Sequence, residues 1–185
     1  MACTTLLPAV ALDDACMTVK NGQIHKLYLT RATADDELTD VGDDTEWATR
    51  LDPDAAIPVS GAAPIREWSV IGSMPEGEVT EIALPLNGVY SSKGNTVMTL
   101  RCYDLTAANI AACIQYNDAG STKQKAWFAF DDQIVGGNKG INGFVRMAPV
   151  VEEGSDTLAY IQITFTFKGS LNGMELSPLP HFDSY

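Results

Sequence analysis

The length, composition and charge of the chain already limit what it can be. A chain of 185 residues suits one domain, and 45% hydrophobic with 19% charged residues predicts a packed core. The 24 acidic residues outnumber the 12 basic ones and give a net charge of -12, which disfavours non-specific binding to nucleic acid. No stretch approaches the roughly 18 apolar residues of a membrane span, and the first residues lack a signal-peptide pattern. We therefore expect a soluble protein made in a cytoplasm.

The first third of the chain predicts an arm, a strand and a loop. Residues 1–21 show no period and predict an N-terminal arm. Residues 24–31 alternate, with Leu27 and Leu29 on one face, and predict a half-buried strand. Residues 35–54 carry nine acidic side chains, whose mutual repulsion predicts a loop.

The middle of the chain predicts a strand, a long hairpin and one helix. A strand is expected over 65–71, and alternation over 79–84 and 96–103 predicts two further strands. Asn87-Gly88 and Lys93-Gly94-Asn95 are typical of turns, so we expect a long hairpin over 79–103 with its tip at 93–95. A helix is expected over 106–116, where Asp104 or Thr106 can cap the free N–H groups of the first turn. Its apolar stripe would contain Leu105, Ile110, Cys113 and Ile114.

The last third predicts a second hairpin, a central strand and an arm. Residues 125–131 and 141–147 read as strands joined by the reversal at 136–140. Residues 158–167 form the clearest strand, with alternate positions from Ala159 to Phe167 buried. Residues 172–185 predict a C-terminal arm. The expected fold is mainly β: a β-sandwich or partly open barrel over residues 22–171, with roughly seven strands, a long hairpin and one flanking α-helix.

Few residues are candidates for chemistry. His25 and His181 are the two histidines, one within a strand and one near the chain end, so a nucleophile–histidine pair is not expected. Adjacent acids such as Asp131 and Asp132 point to opposite faces of a strand and are expected to be solvated. The glycine-rich segment 136–140 lacks the spacing of a phosphate-binding loop and predicts a turn.

Metal and cofactor sites are not expected either. The cysteines show no C-x-x-C spacing and are expected to be buried free thiols; they are Cys3, Cys16, Cys102 and Cys113. The acidic segment 35–54 could collect Ca²⁺, but it lacks the spacing of an EF-hand loop. We therefore predict a protein that is not an enzyme and holds no metal or cofactor. One alternative is a carbohydrate-binding β-sandwich that stacks sugars on Trp47, Trp68 and Trp127.

The order of the elements, and three segments near the end of the chain, resemble a known family. The segments are KAWFAFDD (125–132), GGNKGINGFV (136–145) and TLAYIQITFTFKGSL (157–171). Together with the preceding strands, hairpin and helix, they resemble the tail tube (major tail) proteins of bacteriophages over about residues 22–171. The resemblance lies in element order and rests on no invariant motif.

The resemblance implies a structural virion protein. Its family forms hexameric rings of β-sandwich subunits, and stacked rings make a tube through which DNA passes without specific binding. The implied partners are further copies of the chain and other virion proteins, with no membrane, in a virion assembled in the host cytoplasm. Capsid decoration, head-tail joining and the tail hub are alternative positions. Expected assembly residues are Asn87, Lys93, Gly94, Asn95, Arg101, Tyr103, Tyr160 and Thr164.

Overall fold

The computed structural model describes residues 23–32, 34–51, 62–75, 79–84, 88–118, 123–151, 159–169 and 175–180. The expected N-terminal arm, Asn87, His181, Cys3 and Cys16 lie outside these ranges. The strands are β1 (Gln23–Arg31), β2 (Arg66–Ser73), β3 (Val79–Leu84), β4 (Gly88–Lys93), β5 (Asn95–Cys102), β6 (Lys123–Phe130), β7 (Gln133–Val135), β8 (Ile141–Val150), β9 (Tyr160–Lys168) and β10 (Leu176–Pro178). The helices are α1 (Asp44–Leu51) and α2 (Ala107–Asp118), and a 3₁₀ turn spans Ala34–Asp36.

Six of the strands form a closed antiparallel barrel. Their order is β1-β2-β5-β9-β8-β6, and the barrel closes because β1 also pairs with β6, as in Leu27 opposite Phe128. The prediction of a mainly β fold is confirmed. Of the two expected arrangements, the described strands form a barrel rather than a sandwich, and two α-helices accompany it instead of one.

Alternating side chains fill the barrel interior. In β5 and β9, Met98 faces Phe165 and Leu100 faces Ile163, and all four are at most 1% exposed. Burial of such side chains stabilises the fold by about 1.5–3 kcal/mol each. The prediction that one face of the segment 158–167 is buried is confirmed for Ile161, Ile163, Phe165 and Phe167.

The helix α2 packs against the interior of this barrel. The hydroxyl of Thr106 accepts a 3.2 Å hydrogen bond from the amide of Asn109 and caps the helix, as expected from the sequence. Cys113 is fully buried in the barrel core, and the ring of Tyr116 lies 6.4 Å from that of Trp68. Ile110 and Ile114 are 37% and 53% exposed, so the predicted apolar stripe is wrong for these two. The helix contacts the barrel through a narrower strip that includes Ala112, Cys113 and Tyr116.

The acidic segment was predicted to be a loop, and this prediction is wrong for residues 44–51. The helix α1 begins at Asp44, and the carboxylate of Asp43 caps it by accepting a 2.9 Å hydrogen bond from the amide of Thr45. Trp47 and Arg50 lie three residues apart, on one face of the helix, and both are buried. Capping and burial of these two side chains therefore outweigh the repulsion between the acids.

The segment 35–51, which we call the acidic cover, packs on the outside of β1 and β6. Trp47 contacts Tyr28 of β1 and Trp127 of β6, with ring centroids 5.0 and 5.7 Å apart. Leu38 and Val41 pack with these rings, and together these side chains form a second hydrophobic core outside the barrel. Most of β6 is consequently buried on both faces, because one face lines the barrel and the other meets the cover.

The long hairpin differs from the prediction in its arms and its tip. Val79 in β3 pairs with Lys93 in β4, and Ile71 in β2 pairs with Arg101 in β5. Val79 lies eight residues after Ile71, and Lys93 lies eight residues before Arg101. The pairing register is therefore the same in both places, so β2 and β3 form one arm of the hairpin and β4 and β5 form the other. The pairing of β3 with β4 continues to Leu84 opposite Gly88, so Lys93-Gly94-Asn95 lies within the second arm instead of at the tip.

Two short strands extend the barrel sheet beside β6. In β7, Val135 pairs with Phe128 of β6 and with Leu176 of β10. The described part of the expected C-terminal arm, residues 175–180, thus lies along the sheet. The reversal predicted at 136–140 is present and leads into β8.

Candidate assembly surface

The outer side of β5, β9 and β8 forms a continuous exposed surface, which we call the open face. Its residues form rows across the three strands: Thr99, Thr164 and Arg146 in one row, and Val97, Thr166 and Phe144 in the next. Val97 is 53% exposed and Phe144 is 41% exposed. Exposed apolar side chains grouped in one row are a feature of protein interaction sites.

The open face is basic, although the protein as a whole is acidic. Its outward positions are Asn95, Val97, Thr99, Arg101, Gln162, Thr164, Thr166, Lys168, Asn142, Phe144, Arg146 and Ala148. These positions include three cations and no carboxylate. Lys123 of β6 lies opposite Phe144 and adds a fourth cation, its ammonium 6.0 Å from the centre of the Phe144 ring.

One end of the open face is an aromatic cluster with a cation. The guanidinium of Arg101 lies 4.9 Å from the ring centre of Tyr160, within the range of a cation–π contact. The rings of Tyr103 and Tyr160 lie 5.8 Å apart, and Tyr160 is 5% exposed beneath its neighbours. Tyr103 is 40% exposed, so of these two rings it is the one that can provide contact area, and a flat side chain does so with little loss of conformational entropy.

The other end of the open face contains a shallow concavity of about 470 Å³. Asn95, Asn142, Lys123 and Lys168 supply its polar lining, and Phe144 supplies apolar surface. The hairpin leaves the barrel at this end, where the amide of Gly169 donates a 3.1 Å hydrogen bond to the carbonyl of Gly94. The Thr96 hydroxyl also donates to the Gly169 carbonyl, so two hydrogen bonds with Gly169 hold the joint between hairpin and barrel.

The structure brings five of the eight expected assembly residues to the open face or its margin: Asn95, Arg101, Tyr103, Tyr160 and Thr164. Gly94 lies at the joint beside it, Lys93 lies in the hairpin strand β4, and Asn87 is outside the described residues. Sequence reasoning missed Phe144, Arg146 and Lys168. The signal was present for Phe144 and Arg146, which occupy outward positions of the strand predicted over 141–147, whereas Lys168 lies one residue beyond the strand predicted over 158–167.

The acidic cover lies on the other side of the barrel. In the strand order around the barrel, the β1–β6 pair is opposite the β5–β9 pair. The cover exposes four carboxylates, those of Asp35, Asp40, Asp43 and Asp44. The molecule therefore has a basic surface and an acidic surface on opposite sides.

Most other acids of the cover have structural roles. Asp36 is fully buried and accepts hydrogen bonds from the Ala63 amide at 2.7 Å and the Arg31 guanidinium at 3.3 Å. The carboxylate of Glu46 binds the amides of Thr39 and Asp40. Within the described residues, no group of three or more potential ligands could hold a metal ion.

The remaining candidates for chemistry are buried. Cys102 and Cys113 are free thiols, as predicted, and burial raises the pKa of both, which keeps them protonated and unreactive. Trp47, Trp68 and Trp127 are at most 5% exposed and present no face on which a sugar could stack. Neither helix in the described part of the chain is long and apolar enough to cross a membrane.

No family model matches the chain, and no curated protein sequence matches it either.

Proposed function

We propose that this protein is a self-assembling structural component of a virion, most specifically a bacteriophage tail tube subunit that forms stacked rings around a DNA passage. The observation that carries the proposal is the outer part of the long hairpin. Here β3 and β4 pair with each other and with no other described strand, from Val79 opposite Lys93 to Leu84 opposite Gly88. The ribbon thus presents two strand edges.

An isolated two-stranded ribbon is at best marginally stable in water, and its unpaired edges readily accept another strand. Pairing with the hairpins of neighbouring subunits would satisfy both edges and form a sheet shared around a ring. The barrel supports this role, because its own six strands close on themselves and hold the base of the hairpin at Ile71 and Arg101.

The charge of the protein supports the proposed passage of DNA through the assembly. A net charge of -12 repels the phosphate backbone, so DNA can pass along an assembly of such subunits without adhering. The exposed row of Val97, Thr166 and Phe144 supplies apolar contact area for neighbouring subunits.

The test is electron microscopy of the purified protein, together with its mass in solution by light scattering. We expect rings or tubes. A variant in which residues 79–93 are replaced by Asn-Gly should keep the circular dichroism spectrum of a β protein and remain monomeric. The matched control is the full-length hairpin with Ser91→Thr, which keeps both edges and should assemble normally. A wild-type protein that stays monomeric at high concentration, or a truncated variant that assembles normally, would contradict the proposal.

A further inference from the structure

We infer that the open face of one subunit binds the acidic cover of the next copy of this chain. The inference rests on the proposed self-assembly and assigns the two surfaces that meet. One surface is centred on Arg146, Lys168 and Phe144, and the other on the exposed carboxylates Asp35 and Asp44.

The ion pairs among the described residues do not include these charges. The described ion pairs join Lys26 to Glu67, Arg31 to Asp36 and Lys125 to Glu37. Neither Arg146 nor Lys168 has an ion-pair partner among the described residues, and neither do Asp35 and Asp44. Arg146 and Lys168 lie on one side of the barrel and Asp35 and Asp44 on the other, so within the described part of one molecule these charges cannot pair with each other, whereas two copies can bring them together.

The distribution of charge also argues for a second copy over a different partner. A chain with a net charge of -12 repels its own copies at long range. Specific association therefore needs a local attraction, and the open face, whose outward strand positions contain cations and no carboxylate, is where one copy can approach the acids of another. Complementary charges of this kind select the partner and its orientation.

The placement of the two surfaces determines the type of contact. Because they are different surfaces on opposite sides of the barrel, the contact is head-to-tail. After one contact has formed, each of the two subunits still has one unused surface. A repeated head-to-tail contact produces a ring or an open filament instead of a closed dimer. The apolar row containing Val97 and Phe144 would be covered at the centre of the contact, with the cations around it.

The test reverses the charge on each surface separately. One variant carries Arg146→Glu and Lys168→Glu, and the other carries Asp35→Lys and Asp44→Lys; none of these four side chains makes a described hydrogen bond. Each variant alone should need a roughly tenfold or higher concentration to assemble, since like charges then face each other. An equimolar mixture of the two, or one chain with all four changes, should recover assembly. Circular dichroism spectra and cooperative melting verify that each variant folds, and a small decrease in melting temperature is expected for Asp44→Lys because it places a cation at the start of α1.

The outcomes separate this inference from the proposed function. If the wild type assembles and both reversed variants assemble equally well, or if mixing restores nothing, the proposed contact is wrong while self-assembly stands. If the wild type remains monomeric, both proposals fail. If a short DNA duplex binds the wild type and the Arg146→Glu/Lys168→Glu variant loses that binding while still assembling, the open face is a nucleic-acid site and the contact between copies is overturned.

Discussion

The ring of Trp47 stands edge-on to the ring of Trp127, with centroids 5.7 Å apart and planes inclined at 78°. Since Trp47 belongs to α1 and Trp127 to β6, this contact holds the acidic cover to the barrel. The indole N–H of Trp47 donates to the Val41 carbonyl at 2.9 Å, and that of Trp127 donates to the Gly137 carbonyl at 2.7 Å. Both buried polar groups are therefore satisfied.

We expect Trp47→Ala to lower the free energy of unfolding by about 3–5 kcal/mol, because it empties the centre of the second core. Trp47→Phe keeps a ring but loses the hydrogen bond to Val41, so a loss of about 1–2 kcal/mol is expected. Urea denaturation followed by circular dichroism measures both. The control is Thr49→Ala, an exposed position in the same helix, with an expected change below about 0.5 kcal/mol. If Trp47→Ala lowers the free energy of unfolding by less than about 1 kcal/mol, Trp47 does not hold the acidic cover to the barrel.

Arg50 joins the end of α1 to two other segments. Its guanidinium donates to the backbone carbonyls of Asp36, Glu37 and Ala63, at 3.0–3.2 Å, and the side chain is 6% exposed. A lysine ammonium cannot reach all three acceptors, so Arg50→Lys should lower the free energy of unfolding by about 3 kcal/mol. Arg146→Lys makes the same exchange at an exposed position and should change it by less than about 0.5 kcal/mol. If the two substitutions lower the free energy of unfolding equally in chemical denaturation, the hydrogen bonds of Arg50 do not hold these segments together.

Gly140 lies in the reversal before β8 with φ of +66°, and a Cβ there would lie 2.8 Å from the ring of Trp127. Gly140→Ala combines an unfavourable backbone conformation with displacement of a buried ring. We expect a loss of stability of about 2–3 kcal/mol, seen as a lower melting temperature. Gly42→Ala is the control, because a Cβ there would meet only the Asp40 carboxylate at 3.4 Å. A melting temperature that stays unchanged in Gly140→Ala would exclude the close packing of Trp127.

The buried thiols predict a pH dependence. Burial raises the pKa of Cys102 and Cys113, so both stay protonated in the folded protein at a pH where the unfolded chain ionises them. Their contribution is fully present below the unfolded pKa of about 8.5 and is lost as the pH rises above it, by up to roughly 1.4 kcal/mol per pH unit for each thiol.

Denaturation between pH 7 and pH 10 tests this dependence. In a background with Cys3→Ser and Cys16→Ser, the further substitutions Cys102→Ala and Cys113→Ala should make the decline of stability with pH shallower. Native thiols should also resist a disulfide reagent at pH 8 and react after unfolding. Rapid modification of the folded protein would show that the two cysteines are not buried.

Local patterns predicted most of the elements. Period-two alternation identified β5 and β9 because one face of each strand lies in the barrel, and a capping Thr106 marked the start of α2. The helix α1 was missed because its signals are short: one cap at Asp43 and one buried pair, Trp47 and Arg50, within a run of acids. Attention to spacing instead of charge would have found it.

The global arrangement could not be read in the same way. Closure of the barrel depends on β1 meeting β6, as in Leu27 opposite Phe128, and no local pattern links residues so far apart. The hairpin tip was misplaced because glycine at position 94 is typical of a turn, whereas here it lies between two consecutive strands of one arm. The alternation within each predicted strand shows which side chains point outward. The open face could be recognised only after the structure showed which strands are neighbours.

Barrel closure also has a consequence for the order of events during synthesis. The strand β1 is made early, but its second partner, β6, ends at Phe130, about a hundred residues later. While the chain emerges from the ribosome, Gln23–Arg31 can pair with β2 on one side only. The pairing of β1 with β6 must therefore wait until residue 130 has been translated, and the barrel can close only after β9, which lies between β5 and β8 and ends at Lys168, is also made. Pairings between such distant segments form slowly. We expect nascent chains that stop before residue 130 to expose β1 to chaperones.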